Sequence, residues 1–301
     1  MPSGTVLQNL SSGQNIQENN GTYAVTLKPF ELVALKTDKE VASLGAQKIV
    51  PSDDLLQRYK TILADYKNKV DTLNKDGADI SLYQSQLDAF QKAIDEGRIA
   101  EAARLSRLVL FLQMDKMIAA ADKGYLKTQR EMIASGRYAV ACASDDFYPS
   151  SSGTLFFPDI EYTKGGYGHS GNYEAGMHPL GNLQTSLDRG LFAHEAYDVE
   201  SYRFTVPNGK YTVRLYESIR FPMEQKAGGR VMNLEIQGKR LWNNMDLFLA
   251  LHQDPTGALM SEFKDVEVKD GVLRLDWLPV ANLPSYLGWC NAIEIIPDSA
   301  K

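Results

Sequence analysis

The chain has 301 residues, a formal net charge of −6, 44% hydrophobic and 23% charged side chains, the balance of an ordinary globular protein long enough for about two domains. No long basic run offers a footprint for nucleic acid or an anionic membrane surface, and even LSRLVLFLQM is far too short an apolar run to span a bilayer. Two cysteines, Cys142 and Cys290, exclude a disulfide scaffold; they read as one bridge or as two buried thiols, with thiols preferred.

The start, MPSGTVLQNLSSGQ, lacks a basic segment followed by an apolar one, so any export signal is expected outside the chain. Asn9 and Asn20 open Asn-x-Ser/Thr sequons, which matter only in a host that glycosylates. VLQNL and TYAVTLKPFELVALK read as strands, with Pro29 marking a break. Two strands alone are marginal in water, so residues 1–45 are expected to be a β-hairpin remnant of a truncated β-sandwich. Residues 51–135 read as a helical domain. Ser52 is the expected N-cap of a helix carrying Leu55, Tyr59, Ile62, Leu63, Tyr66, Val70 and Leu73 at helical spacing. A second helix carries Tyr83, Leu87, Phe90 and Ile94, and a third runs from near Ile99 through Leu105, Leu108 and Leu112 to Met117. A short helix, LKTQREMI, follows Gly124. The periodicity is no sustained heptad, which favours an intramolecular bundle over a coiled coil.

From residue 138 the pattern turns to strands. YAVACA, SYRFTVP, KYTVRLYESI, RVMNLEIQG, SEFKDVEVKDG, VLRLDWLPV and NAIEIIP alternate apolar and polar side chains, and PNGK, AGG, QGK and KDG punctuate them. Such spacing without intervening helices predicts a β-sandwich over 138–301, with NAIEIIP deep in a sheet.

The stretch YTKGGYGHSGNYEAG, residues 162–176, is the densest in glycine and tyrosine. It lacks the following helix that a phosphate loop or a nucleophile elbow requires, so Gly168-His169-Ser170 reads as a polar loop. The histidines His169, His178, His194 and His252 have no metal-binding helical spacing. Asp145, Asp146, Asp159 and Glu161 could hold a structural calcium, but solvated loop acids are the preferred reading, and no cofactor is otherwise expected. Glu195, Glu217 and Glu235 have ordinary solvated or structural explanations, so no catalytic pair is assigned. What remains is aromatic content in loops: Tyr167, Tyr173, Phe192, Tyr197, Phe221, Tyr286 and Trp289. Aromatic planes stack on the apolar face of a sugar, and neighbouring polar groups meet its hydroxyls.

The order of motifs over 138–298 resembles a malectin-like domain, a carbohydrate-binding β-sandwich. YAVACAS is followed by the glycine-rich stretch. LFAHEAYDVESYRFTVPNGKYTVRLYESIRF leads into the central strands, GGRVMNLEIQGKRLWNNMDLF is the most specific segment, and WCNAIEIIP closes the domain. With the segments read above, the chain is expected to be multidomain α and β: a hairpin remnant, a helical bundle linker and, as the resemblance implies for 138–298, a jelly-roll-like malectin β-sandwich. It implies a sugar pocket in which the family's tyrosines fall on Tyr173 and Tyr197, and an adjacent aromatic pair falls on Arg220 and Phe221. The family's aspartate falls near Asn282–Ser285, where this chain has no acid, and Tyr286 and Trp289 could supply a replacement platform, Trp289 equally being a core residue. Arg220 would favour an acidic or more polar glycan. Malectin-like modules of bacteria are often appended to glycoside hydrolases, and TYAVTLKPFELVALK looks like the last hairpin of the sandwich that follows many glycosidase barrels. The implied function is non-catalytic glycan binding in support of an attached, secreted or periplasmic glycoside hydrolase. Its partners would be an oligo- or polysaccharide and the parent's catalytic domain. The alternative is a structural sandwich that has lost its sugar site and packs on that domain.

Overall fold

A computed structural model describes residues 4–27, 33–40, 51–181, 183–185, 187–281 and 287–298. Pro29, Asn282–Ser285 and Tyr286 lie outside the described residues. The N-terminal segment forms short strands: β1 Leu7–Asn9, β2 Asn15–Ile16, β3 Glu18–Asn19, β4 Thr22–Tyr23 and β5 Leu35–Thr37. They pair as a sheet ordered β2-β1-β5 and a separate β3-β4 ladder.

The helical region begins with α1, Asp53–Lys75. Ser52 caps it by accepting from the Leu55 amide at 3.3 Å, and Asp53 and Asp54 complement the positive end of the helix dipole. α2 spans Ser81–Asp95. The single third helix expected from the sequence is instead three: α3 Ile99–Leu105, α4 Val109–Leu112 and α5 Met114–Asp122. Leu108 takes an extended conformation (φ −60°, ψ 136°), and the break lets Leu105, Phe111 and Met114 all enter one core with Leu63, Val70, Leu87 and Phe90. A straight helix would have carried some of them to the outer face. Tyr66 stacks on Phe111 with centroids 4.5 Å apart. α6, Tyr125–Ala134, packs Tyr125, Met132 and Ile133 against the core of the β-region that follows.

That region contains β6 Tyr138–Ala141, β7 Tyr148–Pro149, β8 Leu155–Pro158, β9 Tyr167–Ser170, β10 Glu174–Met177, β11 His194–Tyr197, β12 Ser201–Thr205 and β13 Gly209–Ser218. It continues with β14 Val231–Ile236, β15 Lys239–Asp246, β16 Ala258–Val268, β17 Val272–Leu278, β18 Trp289–Cys290 and β19 Ala292–Pro297. A six-stranded sheet, β16-β13-β19-β6-β8-β7, faces a five-stranded sheet, β15-β14-β17-β12-β9. All neighbours are antiparallel except β6 and β8. NAIEIIP does lie deep, as β19 between β13 and β6. The two sheets enclose Val140, Val213, Leu215, Ile293 and Ile295 from one side and Tyr202, Phe204, Leu234, Leu275 and Trp277 from the other. Each such side chain contributes about 1.5–3 kcal/mol when buried. Cys142 and Cys290 are both buried free thiols.

The stretch 162–176 is not the polar loop expected. It supplies β9 and the start of β10, and Tyr167 is a core residue at 4% exposure. Gly168 is obligatory here: its φ is +131°, and a Cβ would sit 1.8 Å from the Ile160 carbonyl oxygen. Ser170 pairs with Ser201 in the β9–β12 ladder, so the near-miss nucleophile turn is a β-strand.

Candidate functional site

A third sheet, β10-β11-β18, closes one end of the sandwich. Its register places Glu174, Tyr197 and Trp289 in one row and Ala175, Ala196 and Cys290 in the next. Successive side chains of a strand point to opposite faces. Ala196 and Cys290 therefore take one face and Tyr197, Trp289 and Glu195 the other, and the sandwich core takes in Trp289 as well as Ala196 and Cys290, with Tyr197 packed partly against it.

On that face lies Arg230, 1% exposed. Its guanidinium sits over the Trp289 ring, 4.7 Å from the centroid. It donates two bonds to Glu195, both at 2.8 Å, one to the Ser218 carbonyl at 3.0 Å, and others to Glu224. A buried guanidinium is tolerated only with this degree of satisfaction. Trp289 is consequently a packed support, 5% exposed beneath Arg230, and not an open stacking platform. Asn291, at the bend between β18 and β19, locks the arrangement. Its Oδ1 accepts from the Ser218 amide at 2.8 Å, and its Nδ2 donates to the His194 carbonyl at 2.7 Å.

Above this base Tyr197 is half-buried beside Gly176. A Cβ at Gly176 would lie 3.4 Å from the Tyr197 ring and 3.2 Å from His178 Nε2, so the missing side chain leaves room for both. His178 Nε2 is 4.0 Å from Glu195. The next carbonyls in the chain, Pro179 and Leu180, accept from Arg220 Nη2, and that of Gly181 accepts from Arg189. Phe221 follows at 44% exposure.

Tyr173, grouped with Tyr197 in the sequence reading, has partners of its own. Its hydroxyl donates to Asp159 Oδ2 at 2.9 Å, and His169 stacks on its ring with centroids 3.6 Å apart. Tyr202 donates to the same Asp159 oxygen at 2.6 Å, and the Ala143 amide does so at 2.8 Å. Asp159 is thus an internal hub and no solvated loop acid, and burial pushes its carboxyl above the usual range. Asp145 and Asp146 pair with Lys116. Among the described residues no group of three or more His, Cys, Asp or Glu side chains is arranged to hold a metal.

The other acids weighed from the sequence are structural or sealed. Glu195 is bound to Arg230, Glu235 pairs with Arg240, and Glu217 is 1% exposed with both carboxyl oxygens unpartnered. Burial raises the Glu217 pKa well above its ordinary value, Arg230 opposing only in part. His178, Arg189 and Arg230 escaped the sequence reading. His178 drew notice only as a metal ligand, and the arginines have no local signal that sets them apart.

The sequence model of the Malectin domain matches residues 137–289, just over half of the chain. The chain belongs to the malectin domain family. This malectin domain is also similar to solved structures at low identity. A Bacteroides uniformis beta-glucuronidase 2 matches with a TM-score of 0.47 and 19% identity, over 56% of this chain and 18% of that one. The plant receptor-like kinase FER matches with a TM-score of 0.43 and 16% identity, over 54% and 42% of the two chains. The extracellular domain of ANXUR1 from Arabidopsis thaliana matches with a TM-score of 0.43 and 17% identity, again over 54% and 42%. The malectin chain thus spans less than half the length of each of these proteins. No curated protein matches it. Among the described residues no helix is long and apolar enough to cross a membrane. A malectin domain is a carbohydrate-binding or interaction module, and on this one Tyr197 and His178 lie beside Gly176 where β10 pairs with β11.

Proposed function

We propose that this malectin domain binds glycans without catalysis, on the face bearing Tyr197, His178, Arg220 and Phe221, in support of an attached glycoside hydrolase outside the cytoplasm. The observation that carries the reading is the half-buried Tyr197 ring beside the side-chain-free Gly176. A sugar ring can lie against an aromatic plane, and Gly176 adds no side chain of its own beside this one. The Arg230–Glu195 pair beneath is already saturated, so it holds the platform rigid and takes no ligand itself.

Isothermal titration of the chain against glucan, galactan and uronic-acid oligosaccharides tests this. Tyr197→Ala should weaken binding about tenfold, the loss of one stacking contact. Tyr173→Phe, which removes only the hydrogen bond to Asp159, should leave affinity unchanged and lower the melting temperature. No heat with any sugar at millimolar concentration would end the glycan reading.

A second reading rests on Met177, Met223 and Phe221, large apolar side chains exposed at 76%, 73% and 44%. They suit a protein interface, here the parent's catalytic domain. A folded chain that ignores glycans yet binds a separately produced catalytic domain would favour it.

A further inference from the structure

A small cavity lies apart from the proposed glycan face. Successive side chains of a strand alternate, so on β11 His194 shares a side with Ala196, while Glu195 and Tyr197 take the opposite side. His194 lines the cavity, and neither Glu195 nor Tyr197 does. Its volume is about 130 Å³. An apolar cavity of roughly 150 Å³ holds a benzene-sized guest, so this one has room for a single six-membered ring.

Two kinds of wall meet in it. Phe147, Tyr148, Leu191 and Ala193 supply apolar surface, and Ser144, Asp146 and His194 supply polar groups. Gly190 makes the Tyr148 wall possible, since a Cβ there would lie 2.3 Å from the ring. Phe147 is held from the helical side by the Tyr125 ring of α6, with centroids 5.8 Å apart. Junctions between packed units are favoured places for ligand pockets.

The polar groups have capacity left. The His194 imidazole makes no hydrogen bond among the described residues, although its backbone carbonyl accepts from Asn291. Asp146 Oδ1 is 3.1 Å from Lys116 Nζ on α5, and no described residue donates to Oδ2. The Ser144 hydroxyl accepts from the Asp146 amide at 3.2 Å, and its own donated bond, to the Asp146 carbonyl, is long at 3.4 Å. An imidazole donates and accepts, a hydroxyl does both, and a carboxylate accepts. Lys116 is shared between Asp145 and Asp146, which leaves the mouth net negative and disfavours an anionic guest. A pyranose answers this description, with apolar ring faces and a rim of hydroxyls that donate and accept.

We infer that this cavity is a second sugar site and takes one neutral monosaccharide, its ring against Tyr148 and Phe147 and its hydroxyls on His194, Asp146 and Ser144. The site stands or falls separately from the Tyr197 face.

The isotopically labelled full chain is titrated with glucose, galactose, mannose and xylose, and with glucuronate and glucosamine as charged counterparts, while amide and imidazole resonances are followed by NMR. At least one neutral sugar should shift the signals of Ser144, Asp146 and His194 saturably at millimolar concentration. Asp146→Asn changes an exposed side chain and should weaken that sugar about tenfold, the loss of one charge-assisted hydrogen bond. His194→Ala, which keeps the carbonyl that Asn291 uses, should do the same. The residue map comes from the unaltered protein, so a variant that misfolds leaves the test intact. Tighter binding of glucuronate or glucosamine than of every neutral sugar overturns the inference, and so does the absence of any shift at the cavity residues. Shifts confined to the surroundings of Tyr197 overturn it and leave the glycan face standing. Shifts confined to the cavity uphold it without that face.

Discussion

Arg230 shows how much of the site hangs on one side chain. It joins Glu195 on β11, Glu224 in the turn before β14, the end of β13 and the Trp289 ring. Arg230→Met keeps much of the volume but strands Glu195 as a buried carboxylate. Urea denaturation should show a loss of about 3–5 kcal/mol, the usual result of removing one partner of a buried pair. Glu217 offers a test of opposite kind. Its carboxyl is buried without a partner and stays protonated well above the ordinary value of 4.5. A raised carboxyl contributes its stabilisation fully below that ordinary value, and the contribution is lost as pH rises through the folded-state value. Asp159, raised mainly by burial, acts in the same direction. The melting temperature should therefore fall from mildly acidic to alkaline pH, and Glu217→Gln should flatten that fall and raise stability at the alkaline end. An equally steep profile in the variant would remove Glu217 as the cause. Tyr197, Arg220 and Phe221 enter the proposed site because the family's order of motifs places them in the sequence. Tyr173 was legible as important but not as a hydrogen-bond partner of Asp159. Its hydroxyl reaches Asp159, fourteen residues earlier, a contact no local pattern states.

At the scale of elements, local chemistry was read well where a single period governs. The Ser52 cap, α1, α2 and the alternating strands β12, β13, β14, β16, β17 and β19 form at the places where 3.6- and 2-residue periods occur. The misreadings fall where tertiary contact overrides period. The third helix breaks at Leu108 to bring Leu105 and Phe111 into one core. β9 and β10 form in a glycine-rich stretch because β12 and β11 offer partners to it. Gly168 makes this testable. Gly168→Ala forces a Cβ into the Ile160 carbonyl at a backbone angle that L-residues rarely adopt. A thermal melt should show destabilisation of about 2 kcal/mol or more, beyond the ordinary surface substitution. A melt within a degree of wild type would mean that β9 is free to shift.

For the whole molecule, α6 couples the helices to the sandwich. Tyr125, Met132 and Ile133 pack on the sandwich core, and Gln129 Nε2 donates to the Tyr167 hydroxyl at 3.0 Å. A fragment of residues 124–301 should accordingly melt at a higher temperature than one of residues 137–301, although the matched family segment begins at 137. Indistinguishable melts would make α6 a tether and nothing more. The sequence by itself determined the helical and strand segments and the malectin order of motifs, because these are written in short-range periodicity and turn chemistry. Only the tertiary structure decided that Trp289 lies under Arg230, that Asp159 and Glu217 are sealed inside, and that Arg189 and Arg220 share one loop. Those outcomes depend on strand register and close packing between residues far apart along the chain, and no local pattern encodes either.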